Sequence, residues 1–219
     1  MSDILEVIPV LSYWSGSPAV ASVIVTGALL VISEDRRVLV TALAIQYLFV
    51  GLLYTNILAP QVAGIKTTAG IVVWLIVFFS VQQSGWRPGS EVSESSIPWV
   101  LGARARFRVF AVILAALIGW KLALPGTLPF PVASEYVTFA ALQLTCLGLL
   151  LQGLAGHPLK SGLGILTFLT GFGLLYSGVE PALMVVGVLA AVEVAVALSI
   201  SYLTIVHMLS SRVSEEVRR

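Results

Sequence analysis

An all-α fold, a polytopic bundle of about seven transmembrane helices, is what this sequence predicts, and three observations predict it. The 219 residues are 58% hydrophobic and only 11% charged, where soluble domains carry roughly 25% charged residues. Mean hydropathy is +1.01, and apolar runs reach the 18 or more residues needed to span a bilayer as helix. The runs do not alternate apolar and polar residues, as strands of a membrane β-barrel would. In lipid every backbone N–H and C=O must be satisfied within the segment, which leaves helices.

Taken in order, spans are expected at 17–33, 38–56, 60–81, 107–124, 135–154, 161–178 and 181–207. Glu34-Asp35-Arg36-Arg37 separates the first two, and Asn56 to Gln61, with Pro60, separates the second from the third. From Gln82 to Arg106 the chain turns polar, with Pro88, Gly89, several serines, Glu91 and Glu94. This reads as a solvated linker, with a short interfacial helix expected near Trp99. LPGTLPFPVAS, whose prolines cannot continue a helix, parts the fourth span from the fifth. Gly156 to Lys160 and Ser177 to Pro181 break the last three spans apart. The chain therefore divides into an N-terminal three-span half (1–81), a polar cytoplasmic linker (82–106) and a C-terminal four-span half (107–219), with no evident repeat.

Seven spans place Arg36, Arg37, Arg87, Arg104, Arg106, Arg108, Lys160, Arg212, Arg218 and Arg219 on one side, ten of the twelve basic residues. Positive charge marks the cytoplasmic side, so the N-terminus is expected outside and the C-terminus in the cytoplasm. The arginines around Phe107 suit anchoring at anionic lipid. The expected location is the cell (inner) membrane as a multi-pass protein, with an internal photosynthetic membrane left open. The segment MSDILEVIPVLSYW carries Asp3 and Glu6 and no basic residue, unlike a cleaved signal peptide, so a retained first span is expected.

A net charge of +1 argues against a nucleic-acid partner, which calls for a basic face. One cysteine, Cys146, leaves no disulfide framework or cysteine-based metal centre. His157 and His207 stand at loops or rims with no second ligand at metal spacing. No nucleotide cradle or nucleophile elbow is present, so neither a cofactor nor a catalytic residue is assigned. Glu180, beside Pro181, suits the positive end of the seventh helix.

Two full charges lie inside the spans. By rise per residue Lys66 is about 9 Å and Glu193 about 18 Å from the same end of their helices. Lys66 is shallow enough to snorkel to the headgroups, whereas Glu193 is too deep. An ionised carboxylate at bilayer depth costs about 3 kcal/mol or more, so such a residue is neutral, paired or hydrated, and marks a functional site by default. If the third and seventh spans are neighbours, the two form a pair that can handle protons without metal or cofactor. Gln46, Gln143, Thr145, Gln152, Thr167 and Thr170 are candidates to line a path, of which Gln46, Gln143, Thr167 and Thr170 are retained; each alone is also an ordinary helix–helix hydrogen-bonding residue. Gly162, Gly164, Gly171, Gly173, Gly187, Ala190, Ala191 and Ala195 offer small faces for close helix packing, within the chain or against other subunits.

The first span ending in LLVISEDRR, the run GIKTTAGIVVWLIVFF holding Lys66, and PLKSGLGILTFLTGFGLLYSG followed by EPALMVVGVLAAVEVAVAL carry a resemblance over most of the chain. The chain resembles the hydrogenase-4 component E family of membrane proteins, related to the K subunit of complex I and the C subunit of multisubunit sodium/proton antiporters. Leu189-Ala190-Ala191-Val192-Glu193 is similar to the small-residue run and glutamate of the K subunit. The resemblance implies a non-catalytic membrane subunit of an oxidoreductase or ion-transport assembly, taking part in proton translocation or holding antiporter-like subunits together. Its implied partners are the lipid bilayer, large antiporter-like membrane subunits, and hydrogenase or quinone-reductase subunits. Two family acids are missing, their places falling near Leu169-Thr170 and Val185. Their loss keeps open a non-transporting membrane scaffold, and a free-standing small-solute transporter is the third alternative.

Overall fold

In a computed structural model of the chain, the residues described are 16–83, 103–124, 135–180 and 182–217. Side chains are described within these ranges except at 103–105 and 207–217. All regular structure among them is helical: α1 (Ser17–Ile32), α2 (Arg36–Tyr54), α3 (Pro60–Gln83), α4 (Ala103–Leu122), α5 (Glu135–Gly153), α6 (Pro158–Val179) and α7 (Leu183–Val217). Five of them, α2, α3, α5, α6 and the first 24 residues of α7, are long and apolar enough to cross a membrane. At 16 residues α1 is shorter, and α4 opens on the charged run Arg104, Arg106 and Arg108. The interfacial helix expected near Trp99 and the proline-rich stretch 125–134 lie outside the described residues, as do Arg87, Arg218 and Arg219.

The helix ends follow local chemistry. Pro18 sits in the first turn of α1 and Pro158 in that of α6, where a missing N–H costs nothing. Asp35 caps α2, its Oδ1 accepting the Arg37 N–H at 2.9 Å. His157 caps α6 through Nδ1, which accepts the Lys160 N–H at 3.3 Å. Glu180 is the C-cap of α6, its N–H donating to the Tyr176 carbonyl, and not part of the first turn of α7 as expected. The seventh helix ends at Val217, ten residues past its expected limit, because neither glycine nor proline occurs after Gly187 to stop it.

The helices pack in two layers, α1–α2–α3 against α5–α6–α7, with α1 on α5, α2 on α6 and α3 on α7. Helix α4 lies outside, against α5 and α1. The cross-layer partners run in the same direction. Lys66 meets Glu193 and Ser80 Oγ donates to the Ser201 carbonyl at 3.3 Å, while Gln46 meets Thr167 and Tyr54 faces Ser177. Helices from before and after the 82–106 linker thus share one interior. Two buried apolar clusters stack along the bundle, one around Val20, Leu53, Leu144 and Leu174, the other around Leu39, Leu43, Leu163 and Ile200.

The most extensive contact joins α5 to α6, backbone to backbone. A Cβ at Gly148 would stand 2.5 Å from the Phe168 nitrogen, at Gly164 2.7 Å from that of Gln152, and at Gly171 2.7 Å from that of Thr145. These small residues serve packing within the chain. Gly187, by contrast, has no atom within 4 Å of its Cβ position.

Lys160, expected among the basic residues of the cytoplasmic side, is 1% exposed. Its ammonium donates to the Val31 carbonyl at 2.9 Å and to that of Ser33 at 2.7 Å, so it closes the C-terminal end of α1, the negative end of the helix dipole. Arg108 is paired with Glu34, which brings the start of α4 to that same end of the bundle. Expected outcomes follow for thermal unfolding in detergent. Gly171→Ala should lower stability by roughly 1–3 kcal/mol through overpacking, while Gly187→Ala should not. Lys160→Met, leaving carbonyls unanswered, should cost about 1–3 kcal/mol.

Candidate functional site

Glu193 is reached on α7 by an apolar face, Val186 and Ala190 before it and Ala197 and Ile200 after it, all buried. Their spacing of three and four residues turns the carboxylate inward with them. On α3 the buried positions Ala63, Lys66, Gly70, Val73 and Val77 repeat the same period. Packing these two faces brings the Lys66 Nζ to 2.7 Å from Glu193 Oε1, the side chains 4% and 1% exposed. Lys66 does not snorkel; its ammonium is buried against the acid.

Helix α2 supplies two tyrosines that no sequence pattern singled out. The Lys66 ammonium lies 5.8 Å from the centre of the Tyr54 ring, within cation–π reach. Both Tyr47 and Tyr54 are buried. The Tyr47 hydroxyl faces Thr170 and the Tyr54 hydroxyl faces Ser177, yet neither contact reaches hydrogen-bond geometry. Next to Tyr47 on α2, Gln46 Nε2 donates at 3.5 Å to Thr167 Oγ1, which lies about one turn from Thr170 on α6. Helix α6 contributes Thr167, Thr170 and Ser177, each no more than 1% exposed, together with Gly173. The Cβ position of Gly173 lies 3.1 Å from the Tyr54 hydroxyl and 4.0 Å from Glu193 Oε1. A side chain there would occupy the space between the phenol and the carboxylate.

The result is a polar seam between the two apolar clusters, enclosed by α2, α3, α6 and α7. Six buried side-chain polar atoms among the described residues lack a hydrogen-bond partner, and five belong to this seam: Gln46 Oε1, Tyr47 OH, Tyr54 OH, Ser177 Oγ and Glu193 Oε2. Buried polar atoms are nearly always satisfied, by protein or by ordered water, so such a concentration marks a polar site rather than an apolar core.

Of the candidates from sequence, Lys66, Glu193, Gln46, Thr167 and Thr170 come together. Gln143 does not. Its Nε2 donates to the Ala116 carbonyl at 2.8 Å, and its amide packs where a Cβ on Gly119 would stand, so it joins α5 to α4. Thr145 is bonded back to the Ala141 carbonyl, and Gln152 accepts from Ser161 at 3.0 Å. The signal for Tyr47, Tyr54 and Ser177 lay in their helical phase: 47 and 54 are seven apart, as are 170 and 177, which puts each pair on one face two turns apart. Compared with family models, with curated proteins and with solved structures, the chain matches none.

A buried pair is held largely by the cost of leaving either charge alone. Lys66→Met should cost roughly 3–5 kcal/mol, and the Lys66→Met/Glu193→Gln double variant should recover most of that loss. Thermal unfolding of the two single variants and the double variant closes the cycle; a double variant as unstable as the sum of the singles would dissolve the coupling.

Proposed function

We propose that this chain is a seven-span integral subunit of a complex I-like or hydrogenase-like membrane assembly, or of a multisubunit cation/proton antiporter, in which Glu193 paired with Lys66 takes part in proton translocation. The observation that carries this reading is the buried Lys66–Glu193 contact at 2.7 Å, with the second carboxylate oxygen and four neighbouring polar atoms unpartnered. A carboxylate balanced between burial, which favours its acid form, and an ammonium, which favours its anion, can take up and release a proton with modest changes in its surroundings. The resemblance to the hydrogenase-4 component E family, carried by Lys66 early in the third span and Glu193 in the last, agrees with this use. Electron transfer, clusters and any quinone or hydrogenase site belong, on this reading, to partner subunits.

The bundle end holding the α1–α2 turn and the starts of α4 and α6 gathers Arg36, Arg37, Arg108 and Lys160, which supports a cytoplasmic assignment for that end and a cell-membrane location. Exposed apolar side chains such as Phe79, Phe110, Trp120 and Val188 fit contact with lipid or with large membrane subunits. A second reading, a non-transporting scaffold, draws support from one observation: Glu193 is the only buried acid among the described residues, so the chain offers no second carboxylate to receive its proton.

Two measurements separate the readings. A tagged chain extracted in mild detergent should bring down antiporter-like and oxidoreductase membrane subunits; a chain that purifies alone as a stable homo-oligomer would overturn the subunit assignment in favour of a free-standing transporter. In the intact assembly, Glu193→Gln should leave subunit composition unchanged and cut coupled proton transfer at least tenfold. Unchanged transfer would leave the scaffold reading standing.

A further inference from the structure

The polar seam is not symmetric about Glu193. Toward the end of the bundle that holds the α2–α3 turn, the carboxylate is followed by the space at Gly173, the Tyr54 hydroxyl and Ser177. Tyr54 is the last residue of α2, and Ser177 stands two residues before the end of α6. Beyond them come the exposed Thr55, Asn56 and Glu180. Toward the opposite end, Tyr47 and Thr170, then Gln46 and Thr167, extend the seam by about two turns. There it stops against Leu39, Leu43, Leu163, Leu166, Val77 and Ile200, all at most 5% exposed and all in one cluster.

We infer that the Glu193 carboxyl exchanges protons with only one face of the bilayer, that of the α2–α3 turn, through the Tyr54 hydroxyl, Ser177 and the space that Gly173 leaves open. The inference rests on the proton-handling reading of Glu193 and adds its direction and its route. The titratable groups facing Glu193 are Lys66 on α3 and Tyr47 and Tyr54 on α2; α6 presents hydroxyls and a glycine but no titratable side chain. A proton from water at the α2–α3 face passes along these hydroxyls, each accepting one proton and releasing another, so that Tyr54 and Ser177 end neutral. Glu193 Oε2 receives the proton, the carboxylate becomes a carboxylic acid, and Lys66 keeps its own proton; release reverses every step. On the other side the buried apolar side chains part Gln46 and Thr167 from the next buried hydroxyls, Ser80 and Thr204, each about one turn beyond Val77 and Ile200, and they offer a proton no donor or acceptor.

The test reads the protonation of Glu193 in the isolated full-length chain. Dicyclohexylcarbodiimide, which dissolves in the bilayer, adds to a carboxylic acid but not to a carboxylate, and the resulting acylurea is detected as a mass increase on the peptide containing Glu193. The chain is reconstituted in phospholipid vesicles with the pH set separately on the two sides. A cysteine at the exposed Thr55 (Thr55→Cys), read with a membrane-impermeant maleimide, reports which vesicles carry the α2–α3 turn outward.

Labelling should fall with each unit rise in pH at the α2–α3 face, approaching about tenfold per unit once the carboxyl is mostly ionised, and should change by less than about 1.5-fold when the opposite face is changed. Tyr54→Phe and Gly173→Ala should each slow the response to a pH jump several-fold. Tyr136→Phe, at an exposed position on α5 outside the seam, should leave it unchanged, and Glu193→Gln should abolish the adduct. Unfolding temperatures of the variants separate a blocked route from a damaged fold. Labelling that follows the opposite face, or both faces equally, would overturn the one-sided route while leaving Glu193 a proton-exchanging group. Absence of labelling at any pH on either side would overturn the proton-handling reading itself.

Discussion

A carboxylate and an ammonium removed from water are tolerable only together, and the architecture of this bundle depends on that constraint. Either ion alone costs several kcal/mol in a low-dielectric interior, so α3 and α7 must be neighbours at a relative height that lets Lys66 reach Glu193. Lys66 and Glu193 are 127 positions apart, and the contact between them joins helices from before and after the 82–106 stretch in one interior. The layers α1–α2–α3 and α5–α6–α7 then meet along matched partners, with α2 against α6 across the middle.

The remainder of the bundle leaves room for that pair. Backbone contact through Gly148, Gly164 and Gly171 welds α5 to α6 without bulky side chains, giving the α6 face opposite to α5 a defined position. On that face Gly173 departs from close packing, facing a phenol and a carboxylate across a gap. One glycine type thus performs two different tasks on one helix: at 164 and 171 the missing Cβ admits a neighbouring backbone, and at 173 it keeps a polar space open.

Charge also organises the end of the bundle away from Tyr54. Lys160 answers two carbonyls at the end of α1, and Arg108 answers Glu34 in the turn that follows it. Both cations join segments that are distant in sequence, so these basic residues serve the fold. Between them and the polar seam lies the cluster of leucines, and a second apolar cluster surrounds Tyr54 on the far side of the seam.

The helices were legible from the residues because their causes are local. Apolar runs of spanning length, with Pro60, Pro158 and Asp35 at their starts, specify helix whatever lies beside them, although α7, with neither glycine nor proline after Gly187, runs past its expected limit. Lys66 and Glu193 were legible too, since a charge inside an apolar run demands a partner. Which polar residues share a site was not. Gln46 and Gln143 read alike in sequence, yet one lines the seam and the other fastens α5 to α4, because the partner of a buried amide is chosen by the helix packed against it. Tyr47 and Tyr54, amphipathic side chains equally at home at a rim or in a core, gained their places beside Glu193 only when α2 docked between α3 and α6. Residue type and period decide what a segment buries; only the packing of helices more than a hundred residues apart decides what those buried groups meet.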